Sequence, residues 1–368
     1  MPDIVLDARM IHHSGIGTYL RGLLEGYRDQ PFFHEHELTL AVRPSSGING
    51  KSGQLLFRSP IYSIREQVEY PFRMKACRLW HAPHYNIPLI KMGSRLVVTI
   101  HDLIHWIFKS EFYSSAQAAY ARLFFTRLAK CADKIIAVSE KTREDLMHYF
   151  QIPRERIRVI YEGVSENFFH VSDPARRRQF LSRQELPDQF FLYVGLMKPH
   201  KNVNRLIRIY RKLRSEGKLG TPLVMVGKKD KKYPKGQELT QNLATGDGIF
   251  YLPQIASQEE LAFLYGSAKA LVHPSLYEGF GLTCLEAMAS GLPVAVSRVA
   301  SLPEVTGDAG FYFDPYSDDS LSEALTQMDS NDGLRKALSQ KGKDRARRFS
   351  WNRAAEETIQ VYKEVLEG

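Results

Sequence analysis

The sequence has few cysteines and no long hydrophobic run, and each absence excludes a class of protein. Its 368 residues include three cysteines, Cys77, Cys131 and Cys284, which lie far apart in the chain. So sparse and odd a set is not a disulfide framework, and none of them has zinc-ligand spacing. No stretch approaches the roughly 18 to 20 apolar residues that a membrane-spanning helix needs.

The first residues also lack the features of a secretory signal. They are Met-Pro-Asp-Ile-Val-Leu-Asp, with acids where a signal peptide has a basic start and a long apolar core. Together with the sparse cysteines, this start predicts a reducing, cytoplasmic location. Peripheral attachment to the inner face of the plasma membrane is compatible with the same features.

Acidic residues are outnumbered by basic ones, 41 to 50, which gives a formal net charge of +9. Nucleic acid, an anionic membrane face or phosphorylated substrates are the partners that such an excess suits. Residues 1–165 carry 22 Lys and Arg against 16 Asp and Glu, so most of the excess lies there. Because no nucleic-acid recognition motif or aromatic stacking platform accompanies it, we expect no nucleic-acid partner.

Residues 51–80 combine positive charge with apolar side chains. Their basic residues are Lys51, Arg58, Arg65, Arg73, Lys75 and Arg78, against two glutamates. Apolar and aromatic residues lie among them, and a segment of this kind can lie on an anionic bilayer surface. The same composition also fits a solvated face over an ordinary core side, so both interpretations stay open.

Short apolar runs alternate with longer amphipathic stretches along the whole chain. The runs lack clean alternation, which is typical of strands buried on both faces. They occur at 4–6, 38–42, 96–100, 134–138, 157–160, 190–194, 223–226, 249–252, 270–273 and 293–297. Helical periodicity lies between them, for example at 17–27, 114–131, 140–150, 202–214 and 258–267. The repetition predicts an α/β fold with parallel sheets covered by helices on both faces.

This pattern occurs twice, with a polar stretch at 163–187 between the two halves. We predict one Rossmann-like domain over 1–163 and a second over 164–349. An amphipathic helix over 350–368 follows, with Ser350 as its N-cap. Two such domains side by side leave a cleft lined by the carboxyl ends of the strands, where ligands of these sheets bind.

Two motifs in the first half directly follow predicted strands. Gly15 and Gly17 open the first helix, where glycines allow close backbone approach and the helix N-terminus offers free N–H groups. The dinucleotide fingerprint GxGxxG is incomplete, since position 20 is Leu20. His101 ends a strand and can donate to a sugar hydroxyl or a phosphate. A tight turn and a strand-capping hydrogen bond are the structural alternatives.

Two motifs in the second half carry charge at similar places. His200 and Lys201 precede a helix that begins at Asn202, and a cation there opposes the helix dipole, which indicates a nearby anion such as a diphosphate. Glu278 follows a strand, and Glu286 lies eight residues later in an apolar helix that begins near Leu282. A carboxylate in such surroundings needs partners, and the diol of a ribose would supply two donors.

These motifs resemble those of the retaining glycosyltransferases of family 4, whose GT-B architecture has two Rossmann-like domains facing across a cleft. The Glu278-x7-Glu286 pair carries the resemblance, which covers nearly the whole chain and is strongest to the bacterial mannosyltransferase B-like branch. It implies transfer of a hexose, with GDP-mannose as the favoured donor, to a lipid-diphosphate-linked or polysaccharide acceptor in the synthesis of surface glycans such as O-antigen. It also implies that the last helix crosses back to the N-terminal domain.

The resemblance further implies roles for individual residues. Glu278 and His101 would contact the transferred sugar, Lys201 would bind the diphosphate and Glu286 the donor ribose. The remaining substrate-binding positions are Gly15, Gly17, His200, Asn202, Gln254, Ile255, Phe280, Gly281, Leu282 and Thr283. The glycines would face the diphosphate, the backbone at Gln254 and Ile255 would hold the base, and the backbone from Phe280 to Thr283 would hold sugar and phosphate.

The chain departs from the family pattern at some of these positions. Many members have Arg where this chain has His200, which predicts a weaker or pH-sensitive phosphate clamp, and many have Pro at the position of Thr283. No Asp-x-Asp triplet stands at a strand end, so we expect no metal and no other cofactor. We predict retention by front-face attack.

Two other enzyme classes share parts of this pattern. An NAD-dependent oxidoreductase is also α/β, but the incomplete GxGxxG and the Glu278-x7-Glu286 pair argue against it. A nucleotide-sugar epimerase of the same architecture would isomerise the donor and need no acceptor.

Overall fold

The computed structural model describes residues 2–44, 47, 53–75, 77–91, 93–112, 114–170, 173–228 and 247–368. The chain divides into two compact units, one formed by Met1–Gly163 with Phe349–Gly368 and the other by Val164–Arg348. Each unit is built on one parallel sheet. The second unit ends one residue before the predicted boundary at 349.

The sheet of the N-terminal unit has seven described strands in the order β3-β2-β1-β4-β5-β6-β7. All of its pairings are parallel. The strands are β1 (Ile4–Asp7), β2 (Leu38–Val42), β3 (Gly53–Leu56), β4 (Leu79–Ala82), β5 (Arg95–Ile100), β6 (Lys134–Ala137) and β7 (Ile157–Val159). The helices are α1 (Ile16–Tyr27), α2 (Phe32–Glu35), α3 (Ile64–Met74), α4 (Ile104–Ile107), α5 (Ser115–Cys131) and α6 (Glu140–Phe150). Every residue of the central strands β1 and β4 is buried, as a doubly covered sheet requires.

The sheet of the second unit has six described strands in the order β10-β9-β8-β11-β12-β13, again all parallel. The strands are β8 (Phe190–Val194), β9 (Leu223–Val226), β10 (Ile249–Leu252), β11 (Ala268–His273), β12 (Val294–Ser297) and β13 (Gly310–Phe313). The helices are α7 (Pro174–Arg183), α8 (Val203–Ser215), α9 (Gln258–Ser267), α10 (Leu282–Ala289), α11 (Leu302–Thr306), α12 (Asp318–Ser330) and α13 (Asp332–Ala346). The carboxyl ends of the central strands β8 and β11 are therefore neighbours, along the edge of the sheet where all its strands end.

The last helix, α14 (Trp351–Glu367), packs on α1 within the N-terminal unit. Its N-cap is Ser350, as predicted, and the Ser350 side chain accepts a hydrogen bond from the Arg353 N–H. A Cβ on Gly22 would come within 2.1 Å of the Trp351 ring, so α1 needs glycine where the two helices meet. The Tyr362 hydroxyl lies 2.6 Å from His81 Nδ1, which joins α14 to the end of β4.

All of the predicted strands and helices are present, with ends shifted by at most two residues. Strands β3, β4 and β13 were not predicted. Each has four residues, and β3 and β13 lie at sheet edges, where little hydrophobic periodicity is required. Cys77, Cys131 and Cys284 are free thiols, in line with the prediction. Among the helices of the described chain, none has the length and apolar character of a membrane crossing.

Candidate active site

The candidate site lies at the carboxyl ends of β8 and β11, which pair directly. The chain leaves β8, forms the short 3-10 helix Pro199–Lys201 and enters α8, while Glu278 lies in the loop between β11 and α10. The Leu276 N–H donates to the His200 carbonyl at 2.7 Å and ties the two loops together. Residues distant in sequence therefore meet here because their strands are adjacent.

Lys201 and Glu278 form an ion pair at this edge. Lys201 Nζ lies 2.6 Å from Glu278 Oε1 and 2.8 Å from Oε2. Oε1 also accepts from His273 Nε2 at 2.8 Å and from the Ser275 hydroxyl at 2.6 Å. The side chains of Lys201 and Glu278 are 19% and 12% exposed, so the pair is mostly but not fully shielded from water.

The surroundings of Glu278 decide its protonation state. Burial opposes ionisation of its carboxyl, but the charge of Lys201 and the hydrogen bond from His273 outweigh burial and hold its pKa well below the usual 4.5. Glu278 is therefore a carboxylate at neutral pH. It can accept hydrogen bonds from hydroxyl groups but has no proton to give to a leaving group.

Helix α10 begins at the end of the loop that holds this carboxylate. Its N-cap position is Gly281, with a φ of 107° and no side-chain cap on the helix N-terminus. The Ser301 hydroxyl bonds the carbonyl oxygens of Glu278 and Phe280, at 2.9 Å each, and fixes the turn. The helix therefore starts at the same carboxyl end of β11 as the ion pair, with the N–H groups of Leu282 and Thr283 in its first turn. This is the arrangement that binds anions at helix N-termini.

Glu286 lies within α10 and is half-buried. The Tyr265 hydroxyl of α9 donates to its Oε2 at 3.0 Å. Burial raises the pKa of Tyr265 well above its usual value, and the neighbouring Glu286 adds to this, so the phenol remains a donor. The predicted need of Glu286 for hydrogen-bond donors is met in part by the protein itself.

Lys201, His200 and Asn202 have more local partners than the sequence suggested. The anion beside Lys201 in this structure is Glu278, supplied by the chain itself. Asn202 adopts a left-handed backbone, with a φ of 55°, and its side-chain amide donates to the Pro315 carbonyl at 2.9 Å. His200 is buried in the 3-10 helix. The described contact of the Asn202 side chain is therefore structural.

Gln254 and Ile255 follow β10 at the same carboxyl edge of the sheet. Gln254 is exposed and Ile255 is half-buried. In the strand order, β9 separates β10 from β8, so the two residues lie to one side of the Lys201–Glu278 pair.

The remaining predicted residues belong to the N-terminal unit. Gly15 is exposed at the N-cap of α1 with a φ of 72°, which favours glycine. Gly17 lies in the first turn of α1, and a Cβ there would come within 2.4 Å of the Ile11 carbonyl oxygen. His101 lies 2.8 Å from Glu162 through Nδ1 and 3.1 Å from the Pro83 carbonyl through Nε2. Both nitrogens thus have partners within this unit.

Two residues of the Glu278 cluster had no assigned role at the sequence level. His273 is the last residue of β11 and is 2% exposed, and Ser275 follows it, fully buried. Both orient the same carboxylate oxygen. The signal in the sequence is their polarity at the end of an apolar strand, directly before Glu278, since a polar pair there faces the binding edge.

Both halves of the chain are similar to known glycosyltransferases. The family model for glycosyl transferases group 1 matches residues 177–345, and that for Glycosyltransferase Family 4 matches residues 14–168. The O-antigen chain mannosyltransferase B of Escherichia coli is 32% identical over 308 residues, which are 83% of this chain and 77% of that protein. The serotype-specific mannosyltransferase WbdA of Escherichia coli is 28% identical over 289 residues, 77% of this chain but 35% of WbdA. The chain thus spans about a third of that relative.

Among solved structures, Alr3699/HepE from Anabaena in complex with UDP and glucose has a TM-score of 0.78 to this chain. The two are 16% identical over 99% of this chain and 100% of the other, a similarity that concerns the fold. The predicted fold class, with two parallel-sheet Rossmann-like domains, is confirmed. The chain therefore belongs to family 4 of the glycosyltransferases, the group 1 enzymes, and is a glycosyltransferase with a GT-B fold.

Proposed function

We propose that this glycosyltransferase transfers mannose from GDP-mannose, with retention of anomeric configuration, to a lipid-diphosphate-linked or polysaccharide acceptor of a bacterial surface glycan. The names of its relatives, both mannosyltransferases and one of them an O-antigen chain enzyme, support the sugar and the acceptor class. The chemistry is supported by one observation above all. An ionised carboxylate, a lysine and an uncapped helix N-terminus converge at one sheet edge.

In this proposal Glu278 holds the transferred sugar. Its Oε1 already accepts three hydrogen bonds, from Lys201, His273 and Ser275, whereas Oε2 accepts from Lys201 and has a further lone pair for a sugar hydroxyl. A carboxylate stabilised by so many donors is a weak nucleophile. We therefore favour front-face attack over a covalent glycosyl-enzyme intermediate.

The bond changes follow from this assignment. The bond between the anomeric carbon and the diphosphate oxygen breaks, and the acceptor oxygen forms the new bond on the same face. The acceptor proton passes to the departing phosphate oxygen, because Glu278 is ionised and holds no proton to exchange. Negative charge grows on the leaving diphosphate, and stabilising that charge is the main task of the protein.

Positive charge for the diphosphate comes from Lys201, from His200 when protonated, and from the N–H groups at the start of α10. These groups make a divalent cation unnecessary in the proposal, so no metal or other cofactor takes part. The backbone from Phe280 to Thr283 lies where sugar and phosphate oxygens can be held. Asn202 acts indirectly, since its amide fixes the turn after Lys201 through Pro315.

The other predicted residues complete the donor and acceptor sites. Glu286 binds the ribose diol, and the backbone at Gln254 and Ile255 holds the base. Gly15 and Gly17 let the start of α1 approach the diphosphate. His101 contacts the transferred sugar, and this requires it to exchange one of its present partners, Glu162 or the Pro83 carbonyl.

We place the protein in the cytoplasm, at the inner face of the plasma membrane, where a lipid-linked acceptor would be presented. The family assignment argues against an NAD-dependent oxidoreductase. Because both relatives are named as transferases, we also favour transfer over epimerisation of the donor.

A thermal-shift panel of GDP-, UDP- and ADP-sugars, followed by transfer to a mannose-terminated acceptor, tests the proposal. We expect GDP-mannose to raise the melting temperature most and the product linkage to keep the donor's anomeric configuration by NMR. Inverted product would refute the mechanism. Stabilisation by a UDP- or ADP-sugar alone would refute the donor, and an isomerised donor without acceptor would indicate an epimerase.

A further inference from the structure

Helix α3 places large apolar side chains in water on one of its faces. Ile64 is 87% exposed, Val68 62% and Phe72 74%. They are spaced four residues apart, so they form one ridge along the helix. Arg65 and Lys75, at the edge and end of the same ridge, are exposed as well. We call these five residues the α3 outer face.

The opposite face of α3 is ordinary core. Tyr70 and Met74 are fully buried in the hydrophobic cluster of the N-terminal unit. Both interpretations of segment 51–80 therefore apply to different parts of it. The inner face of α3 belongs to the core, and its outer face exposes apolar side chains to water. Residues 51, 52 and 76 lie outside the described residues, so Lys51 does not enter the argument.

The acidic residues of α3 point away from the outer face. Glu66 is fully buried, where it pairs with Arg9 at 2.8 Å and accepts from the Asn86 amide. Glu69 is 16% exposed and bonds Arg73 at 3.2 Å, together with the backbone N–H of Ser59. With both carboxylates held by partners, the charge presented beside the apolar ridge is positive.

The same sign continues around the helix. Arg58 is exposed on the segment before the helix, and Tyr62, just before the helix, is 49% exposed. Arg78, after the helix, is exposed too, but it pairs with Asp3 at 3.1 Å and adds little net charge. An apolar ridge bordered by basic residues and an aromatic ring is the composition of helices that lie in the headgroup region of anionic membranes. A protein partner would need a pocket shaped for three protruding apolar side chains, whereas the bilayer interface accepts them without one.

We propose that the α3 outer face docks the protein on an anionic phospholipid bilayer, with Ile64, Val68 and Phe72 entering the interface and Arg65 and Lys75 contacting lipid phosphates. The docking surface deepens the membrane location proposed above and does not depend on the donor sugar. Both binding contributions, apolar and electrostatic, are required because either one alone gives weak, reversible attachment.

Flotation of the full chain with phosphatidylcholine vesicles containing roughly a quarter phosphatidylglycerol tests this. We expect binding that falls at least about tenfold with Ile64→Ser plus Phe72→Ser, or with Arg65→Glu plus Lys75→Glu. Leu123→Ser plus Tyr316→Ser, which removes two other exposed large hydrophobic side chains, is the control and should bind as the wild type does. Far-UV circular dichroism and thermal melting check that all variants fold.

Equal binding of the wild type and the Ile64/Phe72 variant, equal binding to pure phosphatidylcholine, or no binding at all would overturn the proposal. A wild-type dimer in light scattering that the same variant dissociates would assign the face to a second copy of the chain instead. Transfer to a water-soluble acceptor is measured in parallel. It should be unchanged in the α3 variants, so that failed docking and failed chemistry are told apart.

Discussion

Strand β11 lies between two lysine–carboxylate ion pairs of closely similar geometry. Beyond its carboxyl end, Lys201 Nζ lies 2.6 Å from Glu278, and near its amino end, Lys269 Nζ lies 2.8 Å from Asp329. Both lysine side chains are 19% exposed. Both carboxyl groups have lowered pKa values although burial opposes ionisation in each. Distance, burial and charge do not distinguish the two pairs.

The surroundings do distinguish them. Asp329 also accepts from the Gly220 N–H at 3.1 Å and from the Thr221 hydroxyl, and these contacts join α12 to the segment before β9. Glu278 is held by His273 at the end of β11 and by Ser275 in the loop that follows, shortly before the uncapped N-terminus of α10. The Lys269–Asp329 pair lies near the amino end of β11, where it joins packed elements of the fold. The Lys201–Glu278 pair lies beyond the carboxyl end, where parallel sheets bind ligands. An ion pair indicates a site through its place in the topology.

Replacing each lysine in turn should give the largest difference in activity between the two ion pairs. We expect Lys201→Ala to lower kcat by roughly 10²-fold or more, the scale of losing one group that stabilises transition-state charge. Lys269→Ala is the matched control, and its turnover should stay within about twofold, while both variants melt a few degrees earlier. Steady-state kinetics and thermal melting measure this. Wild-type turnover in Lys201→Ala, or equal losses in both variants, would remove the distinction.

Glu286 tests how far the binding region extends from the ion pair along α10. Loss of a carboxylate that accepts from a ribose diol should weaken donor binding roughly 10- to 100-fold in Glu286→Ala, the range for hydrogen bonds to a charged group. Tyr265→Phe keeps the carboxylate and removes one hydrogen bond to it, the 3.0 Å bond from the phenol, so a few-fold change in affinity is expected. Calorimetry with each nucleotide sugar gives the affinities, and an unchanged affinity for all of them would contradict the role of Glu286.

The acid dependence of stability tests the ionised state that both carboxylates share, while turnover separates them. A lowered folded-state pKa adds stability that is present above the unfolded value, near 4.5 for Glu, and that is lost as pH falls through the folded value. The stability difference between wild type and Glu278→Gln should therefore be constant from neutrality to about pH 5 and shrink only in stronger acid. Asp329→Asn should behave alike in direction, but without loss of turnover.

Chemical denaturation across pH measures these differences. A gap between wild type and Glu278→Gln that closes already between pH 7 and about pH 5 would show that Glu278 is not held in the ionised state.

The smallest expected effect concerns metal. Since Lys201 and the start of α10 supply the positive charge in the proposed reaction, EDTA should leave the rate unchanged. A full loss of activity that Mg²⁺ restores would mean that the charge at the carboxyl end of β11 is insufficient by itself, and the comparison between the two pairs would need a third component.

The parallel sheets could be predicted because their strands must be apolar on both faces. Strands such as β8 and β9 are therefore visible in the sequence with their observed ends. The edge strand β3 could not be predicted, since its four residues are mostly exposed and carry no hydrophobic pattern. The central strand β4 was also missed, because its Trp-His centre is fully buried only through contacts made by the whole unit.

The candidate site was predictable in part for the same reason. Glu278, Glu286 and Lys201 stand out as charges next to apolar strands and helices. The partners of Glu278 did not stand out, because His273 and Ser275 acquire their role from one carboxylate oxygen that the loop brings to them. His101 stands out in the sequence at the end of a strand, but its partners do not. Its nitrogens contact Glu162 and the Pro83 carbonyl, which are distant in sequence.

The double strand–helix pattern already determined an α/β protein of two similar domains, because hydrophobic periodicity is a property of the sequence itself. The Glu278-x7-Glu286 pair carried the resemblance to the glycosyltransferases. Only the tertiary structure decided that Lys201 faces Glu278, and that α3 turns its glutamates inward and its apolar ridge outward. Such choices depend on which strands become neighbours and on which face of a helix finds a core. A linear pattern of residues does not contain that information.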